Sequence, residues 1–305
     1  MAPIAGEPRV EIRPAEGARS MTEVARTRTE LRAGIARWRR DRASIALVPT
    51  MGALHEGHLS LIALARARAG AVVASLFINP TQFASDEDLE SYPCDEARDH
   101  ALLESAGCDL IYAPSVAEIY PAGFSTVIAV PSLAAFMEGA VRPHHFAGVA
   151  TVVAKLLIQA TPDIAVFGEK DYQQLAIIRR LALDLDLPVE ILGGPIVREA
   201  DGLALSSRNV YLTPDQREIA PALHRFLATA ARDLAAGHAV ELVEASGFDE
   251  LKRAGFDQVD YIEVRAADTL ESLGPGPLAG PARVLAAARL GKTRLIDNVA
   301  VGRSA

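Results

Sequence analysis

Cysteine is scarce in this 305-residue chain: Cys94 and Cys108 stand apart from each other and from any histidine cluster. That spacing excludes a C-x-x-C redox pair and a disulfide framework, and it argues against structural zinc. A reducing, cytoplasmic setting fits such a chain. Long apolar runs are missing too. None approaches the roughly 18 residues of a membrane-spanning helix, and residues 1–20 carry no apolar signal region. No basic block occurs, and the formal charge is −8. This argues against a general nucleic-acid binder but leaves room for a nucleotide held by local groups. Three nucleotide or metal motifs are also incomplete. No G-x-G-x-x-G follows a strand. Gly291-Lys292-Thr293 looks like the end of a phosphate loop, but Ala286 stands where its first Gly belongs. His55-Glu56-Gly57-His58 misses the H-E-x-x-H zinc spacing. Internal repeats are absent.

What the chain does have is apolar material in a regular order. Half of its residues are hydrophobic, enough for a sizeable core, and the length suits one large or two medium domains. Residues 1–20, with three prolines, read as a disordered extension, and Met21 offers an alternative start. Residues 22–40 read as a surface helix carrying Val24, Leu31, Ile35 and Trp38. Apolar runs at 45–48, 71–78, 109–113, 164–167 and 189–192 alternate with helical patterns at 59–69, 95–106, 147–159 and 172–185. The alternation predicts an α/β fold with a Rossmann-like doubly wound parallel sheet over residues 21–195. A further strand is expected at 126–130, and the acidic run at 86–88 reads as a solvated helix start. After Gly193-Gly194-Pro195 the texture changes. A strand-like 196–198, a helix over 213–235 and strands at 259–264, 283–289 and 294–299 predict a smaller α+β domain over 196–305.

The stretch ALVPTMGALHEGHLSLI at 46–62 organises the rest. Strand, Gly-bearing loop and helix form half of a nucleotide-binding βαβ unit. The helix N-terminus offers unpaired N–H groups and positive dipole charge, which suit a phosphate. His55 and His58 would share one side of a first helical turn, and Gly57 lets a ligand approach the backbone. Two solvated loop histidines fit the same letters. Asn79 and Gln82 follow the next strand, where ligands in open α/β sheets gather. Their amides can donate and accept, although a self-satisfied Asn-Pro turn is equally compatible. Arg142-Pro143-His144-His145 sits at another helix start, as ligands or as caps. Gly168-Glu169-Lys170-Asp171 offers close backbone approach and a mobile cation, or else an exposed ion-paired turn. Ser206-Ser207-Arg208 sets two hydroxyls before a guanidinium, a phosphate grip written in ordinary loop composition.

Six segments carry a resemblance: PTMGALHEGHLSLI at 49–62, FINPTQF at 77–83, RPHHFAGV at 142–149, FGEKDYQQL at 167–175, VREADGLALSSRNVYL at 197–212 and LAAARLGKTRLIDN at 285–298. In that order they resemble the pantoate–β-alanine ligase family, within the nucleotidyltransferase and class I aminoacyl-tRNA synthetase group. The resemblance implies ATP-dependent condensation of pantoate with β-alanine through a pantoyl adenylate, releasing pyrophosphate and AMP, in pantothenate biosynthesis. It implies Mg²⁺ with the ATP and a homodimer, with no membrane or nucleic-acid partner. It implies that Met51, Gly52, Ala53, Leu54, His55, Glu56, Gly57 and His58 line the ATP site, His58 in a proton-donor role. Gly168, Glu169, Lys170, Asp171, Val197, Leu205, Ser206, Ser207 and Arg208 would complete that site. Leu205 stands where some relatives carry Met, which leaves the chemistry unchanged.

Gln82 and Gln174 would hold pantoate, with Asn79 and His145 beside them. His55, His58, Lys170, Ser206, Ser207 and Arg208 are the expected catalytic donors, and no metal ligand is singled out. Attack at an α-phosphate is catalysed mainly by positioning and charge stabilisation. Three loops must therefore converge on one triphosphate. A carboxylate nucleophile needs no base, so His58 is expected to donate. The rival readings are another nucleotidyltransferase with the same histidine motif acting on a different small acid or phosphate, a synthetase paralogue, and a non-catalytic nucleotide-binding module.

Overall fold

The structure, a computed structural model, describes residues 22–83, 89 and 92–302. The expected extension with Met21, and the acidic run at 86–88, lie outside those residues. Six parallel strands form the larger sheet: β1 (Glu23–Ala25), β2 (Ile45–Thr50), β3 (Ala71–Leu76), β4 (Leu110–Tyr112), β5 (Ile164–Gly168) and β6 (Glu190–Gly194). Their spatial order is β1-β4-β3-β2-β5-β6. The direction of winding reverses between β2 and β5. Strand β2 shows why both faces are covered. Ile45 and Leu47 enter one apolar cluster with Leu31, Val153 and Ile178, while Ala46 and Val48 enter another with Ile62, Ala65 and Leu103. A strand with alternate residues buried on opposite sides reads as an unbroken apolar run.

The helices belonging to this sheet are α1 (Arg28–Arg40), α2 (Glu56–Arg68), α3 (Glu96–Ala106), the short α4 (Val116–Ile119), α5 (Pro131–Ala134) and α6 (Glu138–Val141), then α7 (His145–Ala160) and α8 (Tyr172–Asp184). The smaller domain packs α9 (Pro214–Ile219), α10 (Ala222–Ala235) and α11 (Val240–Ala254) with an antiparallel sheet of β7 (Gln258–Ala266), β8 (Ala282–Leu290) and β9 (Thr293–Val301). Leu223, Phe226 and Leu227 of α10 fill its core against Ile262 and Val284. The phosphate-loop lookalike Gly291-Lys292 is the turn joining β8 to β9, Gly291 at φ +56°. The two domains meet through Arg294, which donates to both oxygens of Glu138 at 2.9 and 2.6 Å, and through Tyr172, whose hydroxyl donates to the Ala267 carbonyl at 2.8 Å.

Five expectations are corrected. Residues 23–25 pair with β4 as a strand, and α1 starts only at Arg28, because Thr27 and Glu30 close a capping box there. Helix α2 starts at Glu56 rather than Leu59, capped by His55. The segment 126–130 finds no strand partner; the Ile128 N–H goes to the Thr151 hydroxyl at 2.9 Å. The long helix over 213–235 is two helices, since Pro221 has no N–H to continue the ladder. Residues 196–198 contribute only an isolated bridge, Arg198 to Ala204. Helix α11 has no counterpart in the sequence reading. Its interior Gly247 hides the period, yet a Cβ there would lie 2.3 Å from Phe226 and 2.6 Å from Ile262, so the close packing requires glycine.

Candidate active site

A cavity of about 1250 Å³ opens at the carboxyl ends of β2 and β5, the point where the winding reverses. The histidine loop, the residues after β5, the 205–208 turn and the β8–β9 turn all line it. Parallel strands end there together, so residues remote in sequence share one rim.

The histidine loop is closed by its own hydrogen bonds. Asp99 of α3, 2% exposed, accepts from the Ala53 and Leu54 N–H groups, both at 2.8 Å. Gly52 and Ala53 take positive φ, 86° and 51°, to present those amides. His55 caps α2, its Nδ1 accepting from the Gly57 N–H at 3.1 Å, while His58 Nδ1 accepts from the His55 N–H at 3.3 Å. The two rings lie 4.1 Å apart between centroids. A Cβ on Gly57 would stand 2.9 Å from the His55 ring, so only glycine admits this cap. Several N–H groups of the loop are thus taken internally, that of Gly57 among those expected to be unpaired at the helix N-terminus. The donors offered are the rings. Burial, then nearby Lys170 and Arg98, depresses the His55 pKa to about 4. Burial, then His55 and Lys170, depresses that of His58 to about 3. Both rings are neutral near pH 7, and each Nδ1 accepts, so each Nε2 must carry the hydrogen.

The amides divide into pairs. Asn79, 1% exposed, donates to Gln82 Oε1 at 3.1 Å and to the Gly148 carbonyl at 3.2 Å. Its oxygen accepts from Thr81 and from the Tyr120 hydroxyl. Asn79 therefore orients Gln82, and it lines the same cavity. Gln82 is left with its Nε2 on the Met51 sulfur at 3.0 Å, a weak acceptor. Gln173 is tied to the Leu133 and Phe136 carbonyls, both at 2.8 Å, whereas the side-chain amide of Gln174 has no hydrogen-bond partner among the described residues. His145 Nδ1 donates to the Gln82 carbonyl at 3.0 Å, since a carbonyl can only accept, leaving Nε2 as an acceptor. Burial, then Arg142, lowers the His145 pKa.

Two further elements face the histidines. Lys170 lies in the turn after β5 with no partner for its ammonium among the described residues, and Asp171 follows it. Ser206 caps a 3₁₀ turn, Ser207–Tyr211, by accepting from the Arg208 N–H at 3.3 Å. Tyr92 reaches that turn from the first domain: its hydroxyl is 3.3 Å from Ser207 Oγ, and the Arg208 guanidinium carbon lies 5.9 Å from its ring centre.

The family model described as pantoate-beta-alanine ligase matches residues 23–300. The chain belongs to that family. It is 55% identical over 278 residues to the pantothenate synthetase of Rhodospirillum rubrum, covering 91% of this chain and 98% of that protein. It is 53% identical over 280 residues to that of Caulobacter vibrioides, covering 92% and 98%. The crystal structure of pantothenate synthetase from Thermus thermophilus superposes with a TM-score of 0.86 at 47% identity, covering 92% of this chain and 99% of that one. The pantoate-beta-alanine ligase of Francisella tularensis, crystallised with beta-gamma ATP and beta-alanine, superposes with a TM-score of 0.76 at 33% identity, covering 92% and 97%.

Within this ligase fold, Met51, His55, Gly57, His58, Gly168, Lys170, Asp171, Val197, Leu205, Ser206, Ser207 and Arg208 share the cavity with Gln82, Gln174 and His145. Five expected ATP contacts do not reach it. Gly52 and Leu54 are buried behind the loop, drawn back with Ala53 by Asp99. Glu56 is exposed on the first turn of α2. The Glu169 carboxylate is turned aside to Arg283 at 3.2 Å. Sequence reasoning missed Asp99 and Tyr92. Asp99 stands four residues before the buried Leu103, so an acid at an apolar helical position was the available signal.

Proposed function

We propose that the chain condenses pantoate with β-alanine at the expense of ATP, through an enzyme-bound pantoyl adenylate. The observation that carries this reading is convergence: two neutral imidazoles, Lys170 and the 206–208 turn share one cavity with Gln82 and Gln174. The pantoate carboxylate attacks the α-phosphate, the P–O bond to pyrophosphate breaks, and the β-alanine amine then displaces AMP from the acyl group. His55 and His58 donate through Nε2 to phosphate oxygens as charge builds there, and Lys170 and Arg208 carry the countercharge. Ser206 and Ser207 add hydroxyl donors. Gln82 and Gln174 hold pantoate with neutral amides, so its carboxylate keeps its nucleophilicity. His145 Nε2 accepts from the β-alanine amine. Enclosure protects the acyl adenylate from water.

Mg²⁺ enters this reading on the nucleotide. Among the described residues no three His, Cys, Asp or Glu side chains are grouped to hold a metal. Mg²⁺ held by substrate phosphates and one or two carboxylates is common, and Asp171, on the cavity beside Lys170, fits that part. Residues 21–195 bind ATP and pantoate in this reading, and 196–305 act as the lid. Family membership supports a cytoplasmic homodimer, which light scattering on the purified protein checks.

The decisive experiment is exchange of labelled pyrophosphate into ATP. The reading expects exchange that depends on pantoate. Exchange supported by a different acid, and none with pantoate, would transfer the site to another nucleotidyltransferase reaction.

A further inference from the structure

We infer that the adjacent pair Asp297-Asn298 of β9 is the positioning device of the phosphate cradle, fixing Lys170 relative to the 206–208 turn. The inference rests on the reading of Lys170 as a phosphate residue. Both side chains are buried, 5% and 2% exposed. Asn298 uses its amide hydrogens on two successive main-chain carbonyls, Glu169 at 2.9 Å and Lys170 at 3.0 Å. Its oxygen accepts from Arg283, which also bonds the Glu169 carboxylate and lies 3.9 Å over the Tyr172 ring. The turn that carries Lys170, although it follows a first-domain strand, is thus held from the second domain.

Asp297 holds the other half. It takes both guanidinium arms of Arg198, at 2.7 and 2.9 Å. Arg198 in turn bonds the Gly202 carbonyl at 3.1 Å and bridges to Ala204, while the Leu205 N–H donates to the Val197 carbonyl at 3.0 Å. The 206–208 turn hangs from that small hairpin. One peptide unit therefore spaces the lysine from the serine–arginine grip. A side chain that offers two N–H donors and one acceptor, as Asn does, is what the Glu169–Asp171 turn and Arg283 jointly require.

The test is a double-mutant cycle read by pantoate-dependent pyrophosphate exchange. Asn298→Asp keeps the oxygen for Arg283 but presents a second oxygen to the two carbonyls. Alone it raises KM for ATP about tenfold, the equivalent of one buried hydrogen bond, and leaves KM for β-alanine in the full reaction unchanged. In a Lys170→Ala background the same change has less than about a twofold effect, because residues acting through one another are non-additive. An Asn298→Asp effect of equal size in both backgrounds overturns the inference, as does an unchanged KM for ATP in the single variant. A Lys170→Ala enzyme with normal ATP kinetics would instead defeat the underlying site reading. If thermal melts show that Asn298→Asp does not fold, Asn298→Ser, which keeps one donor, goes through the same cycle and is judged by the same outcomes.

Discussion

The two halves of the proposed phosphate cradle are built in opposite ways. The histidine half belongs wholly to the larger domain: Asp99, the loop amides and the two rings satisfy one another within residues 51–99. The Lys170 and 206–208 half is assembled across the domains, by Asn298 on the main chain beside Lys170 and by Tyr92 against Ser207 and Arg208. The first half is preorganised whatever the small domain does. The second exists in this form only when the domains are docked. In the proposed reaction, donation to the phosphate oxygens and countercharge for the triphosphate are therefore assigned to separately stabilised parts.

Removing His58 should break the preorganised half most severely. His58→Ala is expected to lower turnover by between about a hundredfold and a thousandfold, with a melting curve still cooperative; unchanged turnover would reduce the loop to a binding element. Arg294→Met strikes the docked half. It leaves Glu138 without its cross-domain partner and should cost about 3 kcal/mol in urea unfolding. It should also raise KM for ATP while leaving the imidazole NMR signals of His55 and His58 in place. Movement of those signals would show that the halves are not independent. Asp99→Asn weakens the acceptor of two loop amides and should cost about 2 kcal/mol, this time moving the His55 and His58 signals.

The smallest effect concerns acidity. Both histidines have folded pKa values, about 4 and about 3, below their ordinary 6.5. Over that interval the unfolded chain binds more protons. Their contribution to stability is therefore whole above about pH 6.5 and is lost as pH falls through about 4 and then about 3. Ring NMR should find both unprotonated at pH 6, and a titration of either near 6.5 would contradict the buried, capped arrangement.

Much of this was legible because parallel strands buried on both faces announce themselves as apolar runs, and because their loops must gather at one end of the sheet. That logic was enough to put Asn79, Gln82, Lys170 and the histidines on one rim. It could not tell which amides were free. Gln173 and Gln174 are neighbours with the same side chain, and only the carbonyls of Leu133 and Phe136 decide that the first is tied down. Asp99 stayed hidden for a similar reason, since its partners lie 45 and 46 positions away. The segment 126–130 misleads because β-branched letters describe a preference, and a strand also needs an edge to pair with. Helix α11 escapes notice because the glycine that lets it pack closely against α10 also interrupts the pattern by which helices are recognised.

The uncharged imidazoles have a consequence for physiology. In the proposed reaction an anionic nucleotide enters and its fragments leave without His55 or His58 exchanging hydrogen ions with the medium. Modest swings in the acidity of the surroundings near neutrality therefore leave the charge of these two rings unchanged.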